Sequence, residues 1–587
     1  MFRRSSRFLS LVHWQFLCLI TAFPLALCGC RSDPPHWPGL QAGQETDFSV
    51  LTNPERAVDI LFLVDNSPGM DPKQKALADS VPKMIERLQR LEYGLPDVHI
   101  GVVDSDVGGG DCPILGDRGF LWGNVPTTTP TCDGTASVRA TVAPGSCWAS
   151  AAGITDGCGL NTGARWIEDI QNANGSGRQP NYTGGLADVF SCLIKTMGSG
   201  GCGIESQLQA VRLALNPLAK VNDENIGFVR AKALLAIVLV TDEDDCSNPS
   251  DPTENNYMFS SSRRNPGDGA SLRCAARGHV CNGQSIPDFD PAIGYTGQGF
   301  TANFADCSAK DSTDITDLPL YRVQELIDSV NAVKAKPQEQ ILVSGIIGWP
   351  QNNDLTGVKY QIGKDATLPP PSDTLWSYMP ICQVPTITSA YGSIYQAYGG
   401  LRLKKFIDAY GDHGKVYSIC NPDFTNAMVQ IGDTIVQAMK PGCAPYALMD
   451  TDLSTSGIQP ECQASERTPC DSPGVGDCPA SGYTEQALLE CKDGQGKPLD
   501  PSSLDPTQLL NTQAQIDSVL ATVSPDSRPC WYLSYNTDPV VGCPKEFGGQ
   551  RISVLRKTGA IAPAGTTLEM KCLTCPAGDQ TCPAFGQ

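Results

Sequence analysis

Two uninterrupted runs of apolar residues constrain the fold of this chain more than any other feature. They occupy residues 60–64 and 234–240, and neither alternates apolar with polar side chains. Both are short for a helix, so each predicts a strand that is buried on both faces of a sheet. A turn, Asp-Asn-Ser-Pro-Gly at 65–69, and an amphipathic helical pattern follow the first run. This order of strand, turn and helix is typical of α/β proteins.

Further strand patterns at 98–103, 341–347 and 415–419 alternate with helical patterns. We therefore predict an α/β domain over residues 51–442, with a doubly wound, mostly parallel sheet covered on both faces. Periodicity is lost in three stretches, which we predict to be insertions, the first two holding four cysteines each and tied by disulfides. These insertions are placed near 107–180, 246–316 and 349–399.

Residues 443–587 differ in composition, with ten cysteines, many prolines and glycines, and short strand patterns. We predict a small, β-rich C-terminal domain that disulfides hold together. The spacing of Cys572, Cys575 and Cys582 also fits a zinc site, although disulfides are the better interpretation in an exported protein.

Polar side chains follow the two apolar strands at their carboxyl ends. Asp65 and Ser67 follow the first strand, and Asp242 follows the second. Open α/β sheets place their ligands at this edge. Carboxylate and hydroxyl oxygens suit a hard cation, so Mg²⁺ or Ca²⁺ is the expected cofactor.

The turn at 65–69 resembles the D-x-S-x-S turn of von Willebrand factor type A domains. The end of the second strand, Thr241-Asp242-Glu243, is similar to the Thr-Asp-Gly of the same family. The resemblance covers about 390 residues, and the arrangement is similar to type A lipoproteins of myxobacteria. It implies a metal-ion-dependent adhesion site, in which a carboxylate of the ligand completes the coordination of the ion.

The chain departs from the family pattern at two of the five expected ligands. Gly69 stands at the place of the second serine, and Cys202 stands at the place of a threonine in the second loop. Glu205 follows in that loop and offers an oxygen. The predicted metal ligands are therefore Asp65, Ser67, Asp242 and Glu205; the alternative is a site that keeps the fold and binds no metal.

The N-terminus predicts export and lipidation. Residues 1–30 have a basic start and an apolar run that ends Leu27-Cys28-Gly29-Cys30, which resembles a bacterial lipobox with Cys30 as the lipidated residue. An uncleaved anchor helix is the alternative. Residues 31–50 are predicted to be a tether, and Arg31 after the lipidated cysteine favours the outer membrane by resemblance to bacterial sorting rules. The predicted location is the cell envelope, attached to the membrane through the lipid.

The cysteine count and the net charge narrow the classes of function that this chain can have. Of 25 cysteines, the three in the leader leave 22, an even number that fits disulfides in an exported protein. A net charge of −20 argues against binding to nucleic acid. No G-x-S-x-G, H-E-x-x-H or phosphate-binding G-x-x-x-x-G-K-[ST] motif occurs, so we expect no enzyme activity.

Three hypotheses about function remain. The first is an envelope lipoprotein whose type A domain binds an unknown protein or surface ligand, with or without a metal. The second is a structural or assembly subunit of a surface complex, in which no metal takes part. The third is a metal-dependent hydrolase that uses Asp65, Asp242 and Asp244.

Overall fold

A computed structural model describes the chain from Gln44 to Cys575, with gaps. The residues outside the description are 1–43, 54–55, 92–93, 109–115, 127–139, 145, 173–176, 202, 216–222, 250–267, 288–298, 440–441, 453, 455–458, 471–472, 493–495, 497–520, 522, 525–527, 536–542, 544–549, 557–561, 563–564 and 576–587. The predicted lipid site Cys30 and the second-loop residue Cys202 therefore lie outside the described residues.

The described helices, in chain order, are α1 Asp71–Leu88, α2 Cys147–Ala151, α3 Leu186–Met197, α4 Gln207–Leu215, α5 Ala270–Gly278, α6 Val323–Asn331, α7 Pro337–Gln340, α8 Leu401–Asp408 and α9 Thr425–Met439. The described strands are β1 Gln44–Asn53, β2 Ala57–Val64, β3 Asp97–Val103, β4 Ile167–Gln171, β5 Arg178–Pro180, β6 Leu234–Val240, β7 His279–Cys281, β8 Gln284–Ser285, β9 Thr301–Asn303, β10 Cys307–Ala309, β11 Ile341–Ile347, β12 Lys359–Lys364, β13 Trp376–Tyr378, β14 Cys382–Thr388, β15 Ile394–Ala397, β16 Gly414–Ser418, β17 Cys462–Pro469, β18 Tyr483–Glu490, β19 Cys530–Tyr535, β20 Gln550–Leu555 and β21 Thr566–Thr574. None of the helices in the described part of the chain is long and apolar enough to cross a membrane.

The main sheet has seven strands in the order β16-β11-β6-β2-β3-β4-β5. The first five are parallel to one another, and β4 and β5 join antiparallel at one edge. All five strands predicted from apolar patterns are present in this one sheet. Its two central strands, β2 and β6, consist almost wholly of buried residues, as expected for strands with helices on both sides.

Side chains alternate between the two faces of β2 and so enter two separate cores. Ile60, Phe62 and Val64 belong to the core that contains residues of α1, α3 and α9. Leu61 and Leu63 belong to the core that contains residues of α4, α6 and α8. The α/β prediction with disulfide-rich parts is therefore confirmed.

The stretch near 107–180 contributes more to the sheet than the sequence analysis predicted. It supplies the edge strands β4 and β5, whose polar residues give no apolar pattern. Arg178 stabilises this edge, because its Nε donates to Asp169 Oδ1 at 2.6 Å and its Nη1 donates to the backbone oxygen of Leu95 at 2.7 Å. The ladder pairs β4 antiparallel with β3 and extends the sheet beyond the parallel strands.

Eight disulfides lie within the described residues, four of them in or beside the predicted insertions. The insertion pairs are Cys158–Cys192, Cys246–Cys274, Cys281–Cys307 and Cys382–Cys420. The C-terminal pairs are Cys443–Cys543, Cys462–Cys572, Cys470–Cys478 and Cys491–Cys530. Because Cys572 is bonded to Cys462, it is no zinc ligand, and the disulfide interpretation holds there.

The C-terminal residues form a six-stranded sheet with an unexpected member. Its order is β1-β21-β17-β18-β19-β20, and β1 pairs antiparallel with β21 from Gln44 opposite Thr574 onward. Residues 44–50, placed in the tether by the sequence analysis, are thus part of a sheet formed with the end of the chain. Val50, Trp531 and Met570 share its apolar core, so this ordering has a hydrophobic basis.

Candidate functional site

Asp65 and Asp242 lie close together because the strands that they follow, β2 and β6, are neighbours in the sheet. Val64 lies opposite Val240, and the backbone nitrogen of Asp65 donates to the backbone oxygen of Val240 at 2.9 Å. Asp65 therefore leaves its strand beside Thr241 and Asp242. The strand-end argument placed these loops correctly at one edge of the sheet.

Both carboxylate oxygens of Asp65 are already engaged by the protein. Oδ1 accepts from the backbone nitrogen of Ser67 at 2.8 Å and from the hydroxyl of Ser105 at 3.2 Å. Oδ2 accepts from the hydroxyl of Thr241 at 2.6 Å. Asp65 is fully buried, and burial, followed by the negative charge of Asp242, raises its pKa to about 6.

Glu205 reaches the same edge from the loop before α4. Its backbone oxygen accepts from the nitrogen of Cys246 at 2.8 Å, which fixes this loop to the one that follows β6. Glu205 is buried, and its Oε1 has no hydrogen-bond partner among the described residues. Burial, followed by the charge of Glu243, raises its pKa well above the usual range.

Glu243 is a member of the site that the sequence analysis did not use, although it stands at the family's glycine position. Burial and then the charge of Asp242 raise its pKa well above the usual value, while a hydrogen bond with Glu205 lowers it. Glu205 and Glu243 are thus neighbouring acidic side chains of one site.

Asp242 is paired with a lysine that the sequence analysis missed. Lys73 Nζ lies 2.8 Å from Asp242 Oδ2, and the lysine side chain is 1% exposed. The same ammonium donates to the backbone oxygen of Gly69 at 3.1 Å and lies 4.4 Å from the centroid of the Tyr395 ring. The sequence pattern does indicate that Lys73 is buried, because it precedes Leu77 by four residues and continues the buried stripe of α1 towards its N-terminus.

A hairpin from the third insertion covers this site. Strands β14 and β15 form the hairpin, and Tyr395 in β15 places its ring over Lys73. At its tip, the backbone nitrogen of Ala390 donates to Asp71 Oδ2 at 3.0 Å. At its base, the disulfide Cys382–Cys420 joins it to the segment after β16. The hairpin is thus attached to the domain on both sides of the site.

Asp244 and Asp245 do not join the site, and they are not a solvated loop. The carboxylate of Asp244 accepts from the backbone nitrogens of Arg402 and Leu403 at the start of α8, and its Oδ2 lies 2.5 Å from His279 Nε2. Asp245 Oδ2 accepts from Nε and Nη2 of the buried Arg402 at 3.1 and 2.9 Å. An acidic run after a strand predicts a solvated loop, but pairing with His279 of the second insertion and Arg402 of α8 buries these two side chains.

The predicted ligands do not fit a divalent cation as they stand. Nowhere in the described ranges are three His, Cys, Asp or Glu side chains grouped so that they could hold a metal ion. Both carboxylate oxygens of Asp65 accept hydrogen bonds from hydroxyl and backbone donors, and Asp242 is paired with an ammonium. Asp65, Glu205 and Asp242 lie at one edge, as predicted, but in an arrangement that already contains its own cation.

Comparison with known proteins gives structural neighbours only. No family model and no curated protein matches this sequence. Among solved structures, a von Willebrand factor type A protein from Catenulispora acidiphila is 10% identical at a TM-score of 0.23, with 94% of this chain and 69% of that chain covered. The pilus adhesin SpaC from Lactobacillus rhamnosus GG, in its open conformation, is 9% identical at a TM-score of 0.24, with 92% and 44% covered.

A third neighbour is the pilus adhesin RrgA from Streptococcus pneumoniae, 9% identical at a TM-score of 0.24, with 91% of this chain and 57% of that chain covered. The chain thus spans about half the length of the two adhesins. Similarity at this level says nothing about what the present chain binds.

Proposed function

We propose that this chain is an exported envelope lipoprotein whose main sheet is a type A-like domain that binds a protein or another surface ligand. The observation that supports this most directly is the meeting of three loops at the carboxyl edge of the sheet. The Thr241 hydroxyl donates to Asp65 and joins the loop after β6 to the turn after β2, and the nitrogen of Cys246 donates to the backbone oxygen of Glu205 and joins it to the loop before α4. Ligands of open α/β sheets bind at this edge.

The surface that a partner would meet is the hairpin above this edge. Its tip holds Tyr391, which is 49% exposed although its neighbour Ala390 is bonded to α1. An exposed tyrosine on a turn that is held in place offers apolar surface to a partner and loses little conformational entropy on binding, as in many protein interfaces. The ligand is therefore proposed to contact the hairpin rather than the buried carboxylates below it.

Anchoring belongs to the same proposal. Lipid on Cys30 would attach the protein to the membrane, and Arg31 favours the outer membrane. The −20 net charge favours partners with basic surfaces over anionic ones.

Binding of the purified, labelled protein to envelopes of the native cell tests the proposal. We expect saturable binding by the wild type, a loss of at least tenfold in affinity for Tyr391→Ala, and no loss for Tyr446→Ala. Tyr446 is a matched control, because it is a similarly exposed tyrosine that packs against Phe48 in the C-terminal sheet. Equal binding by both variants would place the contact elsewhere and refute the hairpin as the binding surface.

The alternative is a structural subunit of a surface complex that needs no metal. The buried Lys73–Asp242 pair favours this alternative over a metal-dependent adhesin. A stoichiometric partner that co-purifies from solubilised membranes with both tyrosine variants would support it. The hydrolase hypothesis needs Asp244 beside a metal ion, whereas its carboxylate is bonded to His279 and to the backbone nitrogen of Arg402 at the start of α8.

A further inference from the structure

The ammonium of Lys73 has the surroundings of a bound cation. One carboxylate oxygen, one backbone oxygen and one aromatic face surround it, from Asp242, Gly69 and Tyr395. A buried ammonium needs such partners, because removing its water is costly unless an opposite charge and further acceptors replace it. An aromatic face adds attraction for a desolvated cation.

Gly69 explains one of the two departures from the family pattern. Its φ of +113° lies in the region that side chains with a Cβ rarely adopt, so a serine at this position would strain the turn. The turn in this conformation directs the backbone oxygen of Gly69 to Lys73 at 3.1 Å. The residue that lacks a ligand hydroxyl thus supplies a ligand to the ammonium.

Asp65 does not need a second cation. The hydroxyls of Ser105 and Thr241 and the backbone nitrogen of Ser67 satisfy its two oxygens. Thr241 is itself held by Gln207, whose Nε2 donates to its hydroxyl at 3.0 Å. Neutral donors therefore stabilise the carboxylate of Asp65, and the ammonium of Lys73 pairs with Asp242 instead.

We infer that Lys73 is the resident cation of this site, in the place that the family resemblance gives to Mg²⁺ or Ca²⁺. Because Gly69, Asp242 and the Tyr395 ring surround the ammonium, a carboxylate of a ligand finds no open coordination position there. Any partner is then bound without a divalent ion. The inference deepens the proposed function but does not depend on it, since it concerns the protein without a partner.

Calorimetric titration of the mature protein with Mg²⁺, Ca²⁺ and Mn²⁺ after EDTA treatment is the first test. We expect no saturable heat and no upward shift of Tm with millimolar concentrations of any of the three ions. Saturable binding that Asp242→Asn abolishes would overturn the inference. No ligand is present in this test, so its outcome is separate from that of the envelope-binding experiment.

A set of charge-removing variants is the second test. Lys73→Met leaves Asp242 buried without its cation, and Asp242→Asn leaves Lys73 buried without its anion. Each is expected to lower Tm. The double variant removes both charges, so it is expected to melt above both single variants. If Lys73→Met has the same Tm as the wild type, the inference is overturned.

Lys334 provides the matched control. It is as buried as Lys73, and its Nζ lies 3.4 Å from Asp59 Oδ2, on the strand β2 that precedes the site. Because Lys334 does not contact Asp242, the combination of Lys334→Met with Asp242→Asn is expected to melt below both single variants. If the combination of Lys73→Met with Asp242→Asn also melts below both of its single variants, the inference is overturned.

Discussion

Arg402→Met should destabilise the chain far more than the loss of an ordinary surface ion pair. The Arg402 side chain is fully buried, and it contacts Asp245 Oδ2 through Nε and Nη2 while Nη2 also donates to the backbone oxygen of Tyr321 at 2.8 Å. These contacts join α8 to the loop after β6 and to the segment before α6. Methionine keeps most of the apolar stem and removes the charge.

The size of the effect follows from the partner that is left behind. Removing one member of a buried ion pair costs about 3–5 kcal/mol, because the remaining charge is desolvated and unpaired. Asp245 Oδ1 still accepts from the backbone nitrogen of Leu208 at 2.9 Å and from the Ser247 hydroxyl at 2.5 Å. Since half of the carboxylate stays satisfied, we expect the lower end of that range, about 3 kcal/mol.

Urea unfolding without reductant, followed by tryptophan fluorescence, measures this loss as a lower midpoint at an unchanged slope. Arg322→Met is the control, because Arg322 makes a similar pair with Asp311 at 2.7 Å, but with side chains 31% and 41% exposed. Such a pair contributes about 0–1 kcal/mol. If Arg402→Met costs no more than Arg322→Met, the network around Asp245 is hydrated and the argument from burial fails.

Two further predictions concern the site and the leader. Burial and Asp242 raise the pKa of Asp65 to about 6, so the folded protein holds that proton more tightly than the unfolded chain. The free energy of unfolding should fall by on the order of 3 kcal/mol between about pH 3 and pH 7 on account of this group, and Asp65→Asn should remove that part of the pH dependence. A constant difference between variant and wild type across this range would contradict it. Cys30→Ser should abolish labelling by radioactive palmitate, and labelling that persists would show that another residue is lipidated.

The strands of the main sheet could be predicted because their stabilisation is local in sequence. A run such as Leu234–Val240 is apolar at every position, so it can only be buried on both faces. Strands β4 and β5 have no such run and depend on Arg178, Asp169 and Tyr182, which meet only after the chain has folded. Strand β1 pairs with β21 across almost the whole chain, and no local pattern indicates a partner at that distance.

The site was half predictable for a similar reason. Asp65 and Asp242 follow from the rule that parallel strands end at one edge, and the structure places both there. The partner of Asp242 does not follow from this rule, because Lys73 reaches it from the first turns of a helix. Asp244 and Asp245 were misjudged because their partners, His279 and Arg402, come from segments that the sequence analysis treated as insertion or distant helix.

The position of the insertions explains why this edge of the sheet is covered. The first insertion follows β3, the second follows β6 and the third follows β11, and all three are parallel strands of one sheet. Each insertion therefore begins at the carboxyl edge, where a metal-dependent domain would receive its ligand. Tyr395 of the third insertion packs on Lys73, and His279 of the second binds Asp244. Asp244 and Asp245, which follow β6, pair with His279 of the second insertion and with Arg402 of α8, so this acidic run helps to hold the segments that cover the edge.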